Sequence, residues 1–202
     1  MRWLHQNKQT TTALDNRFAT SAEIEGVFDV ERENLRWIAY AITGNKQVAE
    51  QSVADAGRLQ PTATGVFRDW LLHWAESGTA RVAATHIGES LREAAKKYAG
   101  WSCDHPSHDI SQEESSLLAQ LSSEEIVDGL DPLARTILVL RGMQRASISD
   151  CIILLNVSGR AVLGAYCHAL QWLRAHSVGT VTQTDSIGQE RSREVGINPS
   201  RH

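Results

Sequence analysis

Two short apolar helical stripes, separated by a turn, constrain the fold of this chain more than any other feature. The first stripe is capped by Ser147, with Asp150 as its capping-box partner. Its apolar positions are Ile148, Cys151, Ile152 and Leu155. Asn156-Val157-Ser158 then ends one helix and caps the next, because asparagine tolerates the left-handed conformation and serine is a strong N-cap. The second stripe comprises Val162, Tyr166, Ala169, Leu170 and Leu173. A short helix, a tight turn and a second helix predict a helix-turn-helix.

The rest of the chain has helical spacing as well. Three further capping-box pairs mark helix starts: Thr20 with Glu23, Ser111 with Glu114, and Ser122 with Glu125. No stretch alternates with period two for long enough to form a sheet. We therefore predict an all-α fold of two small helical bundles joined by a linker. The predicted parts are a flexible arm (1–19), a first bundle (20–98), a linker (99–111), a second bundle with the helix-turn-helix (112–176) and a disordered tail (177–202).

Charge and hydropathy limit the classes of partner. The formal net charge of -4 argues against strong non-specific DNA binding by the whole chain, although it leaves room for a local basic patch. No apolar run approaches the roughly 18 residues that span a bilayer. The first residues also lack the apolar core of a signal peptide. We therefore expect a cytoplasmic location and no membrane partner.

The sequence has no established catalytic or metal-binding motif. There is no glycine-rich phosphate loop, serine elbow or metalloprotease helix, so we predict neither an enzyme nor a cofactor. Cys103, His105 and His108 could donate three ligands to zinc, but their spacing matches no established zinc knuckle. A polar linker is the favoured interpretation, and no metal is predicted. Cys151 and Cys167 lie on apolar helical faces and are predicted to be buried free thiols.

Residues 130–175 resemble, without a gap, the promoter-binding region four of extracytoplasmic-function sigma factors, the two-domain type of the sigma-70 family. The run is LDPLARTILVLRGMQRASISDCIILLNVSGRAVLGAYCHALQWLRA. Five places carry the resemblance: Leu130-Asp131-Pro132, Val139-Leu140-Arg141, Ser147, Asn156-Val157-Ser158, and Ala169 with Leu173-Arg174. The resemblance implies a bacterial transcription factor that recognises promoters.

The amino-terminal half resembles region two of the same family. The run LRWIAYAITGNKQVAEQSVADAG looks like the part that clasps RNA polymerase, with the Gly44 break and the Ala49-Glu50 pair in place. The run ARVAATHIGESLREAAKK resembles the helix that melts and reads the promoter. Its matching residues are Arg81, Val82, Ala83, Leu91 and Arg92. The implied partners are core RNA polymerase and promoter DNA.

The resemblance also assigns roles to individual residues. The implied DNA contacts of the region four-like part are Ser147, Ser158, Arg160, Ala161, Leu163, Gly164 and His168. Those of the region two-like part are Arg81, Thr85, Glu89 and Arg92. The implied polymerase contacts are Glu50, Gln51, Val53 and Asp55. Transcription initiation with bacterial RNA polymerase is the function that these roles describe.

The sequence departs from the family where DNA is read. Leu163 stands in the usual lysine place, and Ala165 and His168 stand in the usual arginine places. Gly164 between them weakens the helix, so Arg160 is the strong basic candidate that remains. Two hypotheses follow. The chain is a divergent sigma factor, or it is a sigma-like protein that has lost DNA binding and acts by protein–protein interaction, for example by occupying an anti-sigma factor.

Two further groups of residues have open interpretations. Arg135, Arg141 and Arg145 could meet DNA phosphates, and the alternative is an ordinary solvated helix face. Trp70 and Trp74 lie one helical turn apart. They could stack unpaired bases, but a position in the core between two helices is the interpretation that we favour.

Overall fold

The computed structural model describes residues 18–59, 65–101 and 110–190, with side chains as far as His176. Within these ranges the chain forms ten α-helices, and the one pairing of extended residues is an isolated bridge between Phe18 and Phe67. The all-α prediction is confirmed for this part of the chain. Most of the predicted arm and the centre of the predicted linker lie outside it.

Five helices form the first half of the chain. They are α1 (Ser21–Val30), α2 (Arg32–Thr43), α3 (Lys46–Leu59), α4 (Leu71–His86) and α5 (Gly88–Lys97), and a short 3-10 turn at Arg68–Trp70 precedes α4. Thr20 caps α1 in the predicted capping box with Glu23. Gly44 ends α2 in the left-handed conformation, with a φ of 66°. The apolar faces of α2, α3 and α4 pack together around Leu35, Ile38 and Ile42, which are fully buried.

The second half contains the remaining helices. They are α6 (Gln112–Leu118), α7 (Ser123–Gly129), α8 (Pro132–Gly142), α9 (Ile148–Leu155) and α10 (Gly159–Glu190). The predicted capping boxes at Ser111, Ser122 and Ser147 are all formed. The helix α10 continues to Glu190, past residue 177, where the predicted tail begins. A helix that is already nucleated adds residues at little cost, even where its sequence turns polar.

The two halves pack against each other through α8. This helix has four consecutive buried apolar residues, from Ile137 to Leu140. Four residues in a row cover all sides of a helix, so α8 is buried on more than one face. It contacts α2 and α5 of the first half as well as α10. Hydrogen bonds also join the halves: Trp37 Nε1 donates to the Leu121 carbonyl at 3.2 Å, and Ser77 Oγ donates to Gln144 Oε1 at 2.6 Å. The hydrophobic core is therefore continuous from one half to the other.

None of the described helices, taken singly, has the length and apolar character to cross a bilayer. One strongly bent pair, α9 with the first part of α10, meets the requirement by length and composition. Most residues between Ala161 and Leu170 of this pair are buried inside the protein.

Candidate DNA-binding and polymerase-binding surfaces

The helix-turn-helix of the second half has the geometry that its sequence predicts. The axes of α9 and the first part of α10 meet at 115°, within the range of about 90–120° that is usual for this motif. Asn156 ends α9 in the left-handed conformation, with a φ of 51°. Ser158 Oγ then accepts a hydrogen bond from the Ala161 N–H at 3.2 Å and caps α10. The local chemistry of the turn therefore fixes the angle between the two helices.

The residues predicted to contact DNA on α9 and α10 divide into two groups. Ser147 and Ser158 are exposed caps, and Arg160 is exposed on the first turn of α10. Ala161 and Gly164 are buried in this arrangement of the protein, so their predicted contact with DNA would require α10 to be uncovered first. Two others, Leu163 and His168, are half-buried. Ser158 and Arg160 thus face solvent at the start of α10, while the middle of the helix is covered.

The end of α5 covers the middle of α10. Tyr98, only 2% exposed, donates its hydroxyl to the Asp131 carboxylate and lies 2.8 Å from His168 Nδ1. The ring of Trp101 lies 5.7 Å from the ring of His168. A Cβ added at Gly164 would lie 3.0 Å from Trp101 Cβ and 3.2 Å from Tyr98 Cβ. We call Tyr98, Trp101, Asp131 and His168 the junction cluster. Gly164 allows the close approach of this cluster, a role that its low helix propensity does not reveal.

Hydrogen bonding sets the charges in the junction cluster. Burial alone would raise the pKa of the Asp131 carboxyl, but hydrogen bonds from Tyr98 and the Ala134 N–H, with the Lys97 ammonium nearby, hold it below its usual range. Burial and the Asp131 carboxylate both raise the pKa of the Tyr98 hydroxyl. Asp131 therefore stays ionised and Tyr98 stays protonated at neutral pH. The carboxylate also caps α8 by accepting from the N–H groups of Leu133 and Ala134.

The lowered pKa of Asp131 predicts acid sensitivity. The carboxylate binds protons more weakly in the folded chain, so its stabilising effect is complete above its unfolded pKa of about 3.9 and is lost as the pH falls through its lower folded pKa. We expect Asp131→Asn, which can still cap a helix, to lower stability at pH 7 by about 1–2 kcal/mol. Its unfolding free energy should also depend less on pH below about 4 than that of the wild type. Urea denaturation at a series of pH values measures both effects. The same pH dependence of the unfolding free energy in both proteins below about pH 4 would contradict the lowered pKa of Asp131.

The predicted DNA contacts of the first half lie at the surface. Arg81 and Thr85 are exposed on α4, and Glu89 and Arg92 are exposed on α5. The Thr85 hydroxyl donates to the Arg81 carbonyl at 2.9 Å. All four positions are accessible to a partner.

Three of the four predicted polymerase contacts are accessible on α3. Glu50 is half-exposed and pairs with Arg36 Nε at 2.5 Å, and Gln51 donates to Asp55 Oδ1 at 2.8 Å. Val53 is only 6% exposed and packs in the core, so the polymerase contact there stays a prediction that its burial does not favour.

The arginines of α8 have structural roles that their charge did not suggest. Arg135 is buried, and its Nε donates to the Ile42 carbonyl at 2.9 Å near the end of α2. It is therefore not available to DNA phosphates, and that interpretation is wrong. Arg141 lies over the ring of Tyr166, with Cζ 4.4 Å from the centroid. Arg145, beyond the end of α8, is exposed.

An exposed aromatic group beside the start of α4 was missed by the sequence analysis. Trp70 is 64% exposed, so its predicted core position is wrong, whereas Trp74 is half-buried and packs edge-on against Phe28, as predicted. The rings of Phe18 and Phe67 stack 4.8 Å apart. The α-helix begins only at Leu71, so Trp70 precedes it and does not share a helical face with Trp74. The clue in the sequence was the helix-breaking Pro61 and Gly65 shortly before Trp70.

The cysteine and metal predictions have mixed outcomes. Cys151 is buried and free, and burial raises its pKa to about 11. Cys167 is buried but disulfide-bonded, so a free thiol is wrong there, because helical periodicity predicts burial and not pairing. The described residues contain no group of three or more His, Cys, Asp or Glu side chains that could hold a metal. The candidate ligands from Cys103 to His108 lie outside the described residues.

Comparison with known proteins adds no family assignment. No protein-family model matches the chain, and no characterised protein or solved structure is similar to it.

Proposed function

We propose that this chain is a divergent sigma-type factor that brings core RNA polymerase to promoter DNA in the cytoplasm. The observation that supports the proposal best is the helix-turn-helix, in which Ser147, Asn156 and Ser158 have the helix-capping roles expected from their chemistry, at places that carry the resemblance. A fold does not define a function, so the proposal depends on the surfaces around this motif.

Each surface has chemistry that suits one step of initiation. The exposed rings of Phe67 and Trp70 can stack unpaired bases. Arg81 and Arg92 can neutralise phosphates. The acidic and amide side chains on α3 offer a polar contact for polymerase. Because the end of α5 covers the middle of α10, the two halves must separate before α10 can enter a major groove.

The covered face of α10 favours a second candidate function. A helix whose middle is buried against its own chain has few side chains left for reading bases, since Arg160 is the one basic residue on its exposed first turn. A protein that kept this arrangement permanently would act through protein partners, for example an anti-sigma factor. Such a protein forms a complex with its partner and shows no specific DNA binding.

The first experiment is capture of core RNA polymerase by the tagged protein. We expect capture by the wild type and about threefold to fivefold weaker capture by Glu50→Arg, because the substitution reverses a charge on the proposed contact surface. Glu93→Arg is the matched control. Glu93 is an exposed glutamate on α5 that forms an ion pair with Lys96, as Glu50 does with Arg36. Failure of the wild type to capture polymerase would remove the initiation role. Equal capture by both variants would place the contact elsewhere.

Arg160 tests whether α10 touches DNA within the polymerase complex. We expect Arg160→Ala to weaken promoter binding about threefold and to reduce the slope of log affinity against log salt by about 0.9, the value for one lost phosphate contact. A gel shift at several salt concentrations measures the slope. Arg32→Ala, an exposed arginine on α2, is the control. An unchanged slope for Arg160→Ala would show that this side chain does not contact phosphate.

A further inference from the structure

A cavity of about 390 Å³ lies where the two halves of the chain meet. One wall comes from α4 in the first half, and the other comes from α8, α9 and the loop between them in the second half. We infer that this cavity binds a small molecule that carries a phosphate group beside a flat or apolar part. The inference does not depend on the proposed function.

Basic side chains come from both walls of the cavity. Arg81, Arg145 and His73 all reach it, against a single carboxylate, that of Asp150. Asp150 Oδ2 already accepts hydrogen bonds from the Ser147 N–H and hydroxyl. Neither guanidinium group donates a hydrogen bond or forms an ion pair within 4 Å in the described part of the chain, although the Arg81 charge, after the hydrogen bonds from Ser147, also lowers the pKa of the Asp150 carboxyl. The lining therefore has a positive net charge at neutral pH. The two planar guanidinium groups also offer ten N–H donors, a geometry that suits phosphate oxygens.

The backbone at Arg145 supports a specific role for its side chain. Its φ of 51° is left-handed, a conformation that glycine or asparagine usually adopts. An arginine in this conformation strains the backbone. This conformation turns the chain from the end of α8 towards Ser147, and so brings Arg145 to the cavity that Arg81 reaches from α4. Sites that retain such strain are often functional.

The second-half wall of the cavity also has an apolar part. Leu140 and Leu154 line it together with Ile153, whose side chain is 80% exposed. An exposed isoleucine in the same cavity as two guanidinium groups suits a ligand with one anionic end and one flat or apolar end. The volume lies within the range of about 300–1,000 Å³ that is usual for small-molecule sites.

Polar contacts hold the two walls together at the cavity. Ser77 Oγ donates to Gln144 Oε1 at 2.6 Å, and Gln144 Nε2 donates to Glu76 Oε2 at 3.5 Å. Glu76 Oε1 in turn accepts from Asn34 Nδ2 at 2.7 Å. A ligand bound by Arg81 and Arg145 would bridge the same two halves. Its binding would therefore stabilise the packed arrangement that covers α10.

Calorimetric titration of the full chain tests the inference, with adenosine monophosphate, inorganic phosphate and adenosine as probes. We expect saturable binding of the nucleotide at sub-millimolar concentration, and binding of phosphate and of adenosine at least about tenfold weaker. Arg81→Gln and Arg145→Gln should each weaken nucleotide binding about tenfold, because each removes a charged fork. Arg58→Gln, outside the cavity, should bind as the wild type does. The nucleotide should also raise the Tm of the wild type and not that of Arg145→Gln.

Three results would overturn the inference. One is the absence of saturable binding of the nucleotide or phosphate up to about 5 mM. Another is nucleotide binding that both arginine variants retain in full. The third is adenosine binding as tight as that of the nucleotide, which would leave the guanidinium groups without a role. If the arginine variants lose DNA affinity while none of the small probes binds, these arginines contact nucleic acid and the small-molecule site is wrong.

Discussion

Tyr98→Ala is expected to lower the free energy of unfolding by about 3–5 kcal/mol, the range for truncation of a large buried aromatic side chain. The ring is almost completely buried between α5 and α10, and its hydroxyl satisfies a buried carboxylate from α8. Tyr98→Phe keeps the ring but leaves Asp131 without that donor, and we expect it to cost about 1–3 kcal/mol. Urea denaturation at pH 7 measures both losses.

Tyr40→Phe is the matched control for the hydroxyl. Tyr40 is half-buried on α2 and lies beneath the Lys46 ammonium, which contacts its ring and does not need its hydroxyl. We expect that variant to remain within about 0.5 kcal/mol of the wild type. If Tyr98→Phe were equally stable, the hydrogen bond to Asp131 would contribute nothing and the account of the junction cluster would be wrong.

Trp101→Ala is expected to raise the DNA affinity of the isolated protein about tenfold or more. Trp101 lies over Gly164 and His168, yet it is 40% exposed, so its removal uncovers α10 at a lower cost in stability than the loss of Tyr98. When the state with α10 uncovered is a small fraction of the population, the apparent affinity for DNA rises in proportion to that fraction. Fluorescence anisotropy with a promoter fragment selected by the polymerase complex measures the change.

Trp101→Phe is the control for this prediction because it keeps an aromatic ring over α10. It should bind DNA within about twofold of the wild type. An unchanged affinity in Trp101→Ala would mean that the cover does not limit DNA binding. That result would favour the hypothesis in which the chain acts through protein partners.

The local features of this fold could be predicted from the sequence because their causes are local. Four capping boxes join residues three positions apart, and all four are present. The turn at Asn156 depends on a single residue that tolerates a positive φ, followed by a serine cap. Helical periodicity also identified buried positions of the helix-turn-helix, namely Cys151, Leu155, Val162, Tyr166, Ala169, Leu170 and Leu173.

The packing of the two halves could not be predicted in the same way. Tyr98 meets Asp131 and His168 across separations of 33 and 70 positions in the sequence, and no local pattern encodes such contacts. Arg135 has the charge of a surface residue but donates to a carbonyl of another helix. Gly164 suggested a weak recognition helix, whereas its missing side chain makes room for Trp101. These errors affect the candidate site most, because it lies where the halves meet.

Run-off transcription tests the central claim most directly. Core RNA polymerase and the purified chain would be incubated with a library of genomic fragments, and the transcripts would be sequenced. The account predicts transcripts that start downstream of a shared upstream element, none of which form with core polymerase alone, and weaker synthesis with Arg160→Ala. Capture of polymerase without any specific transcript would contradict the account and would assign the chain to protein–protein interaction.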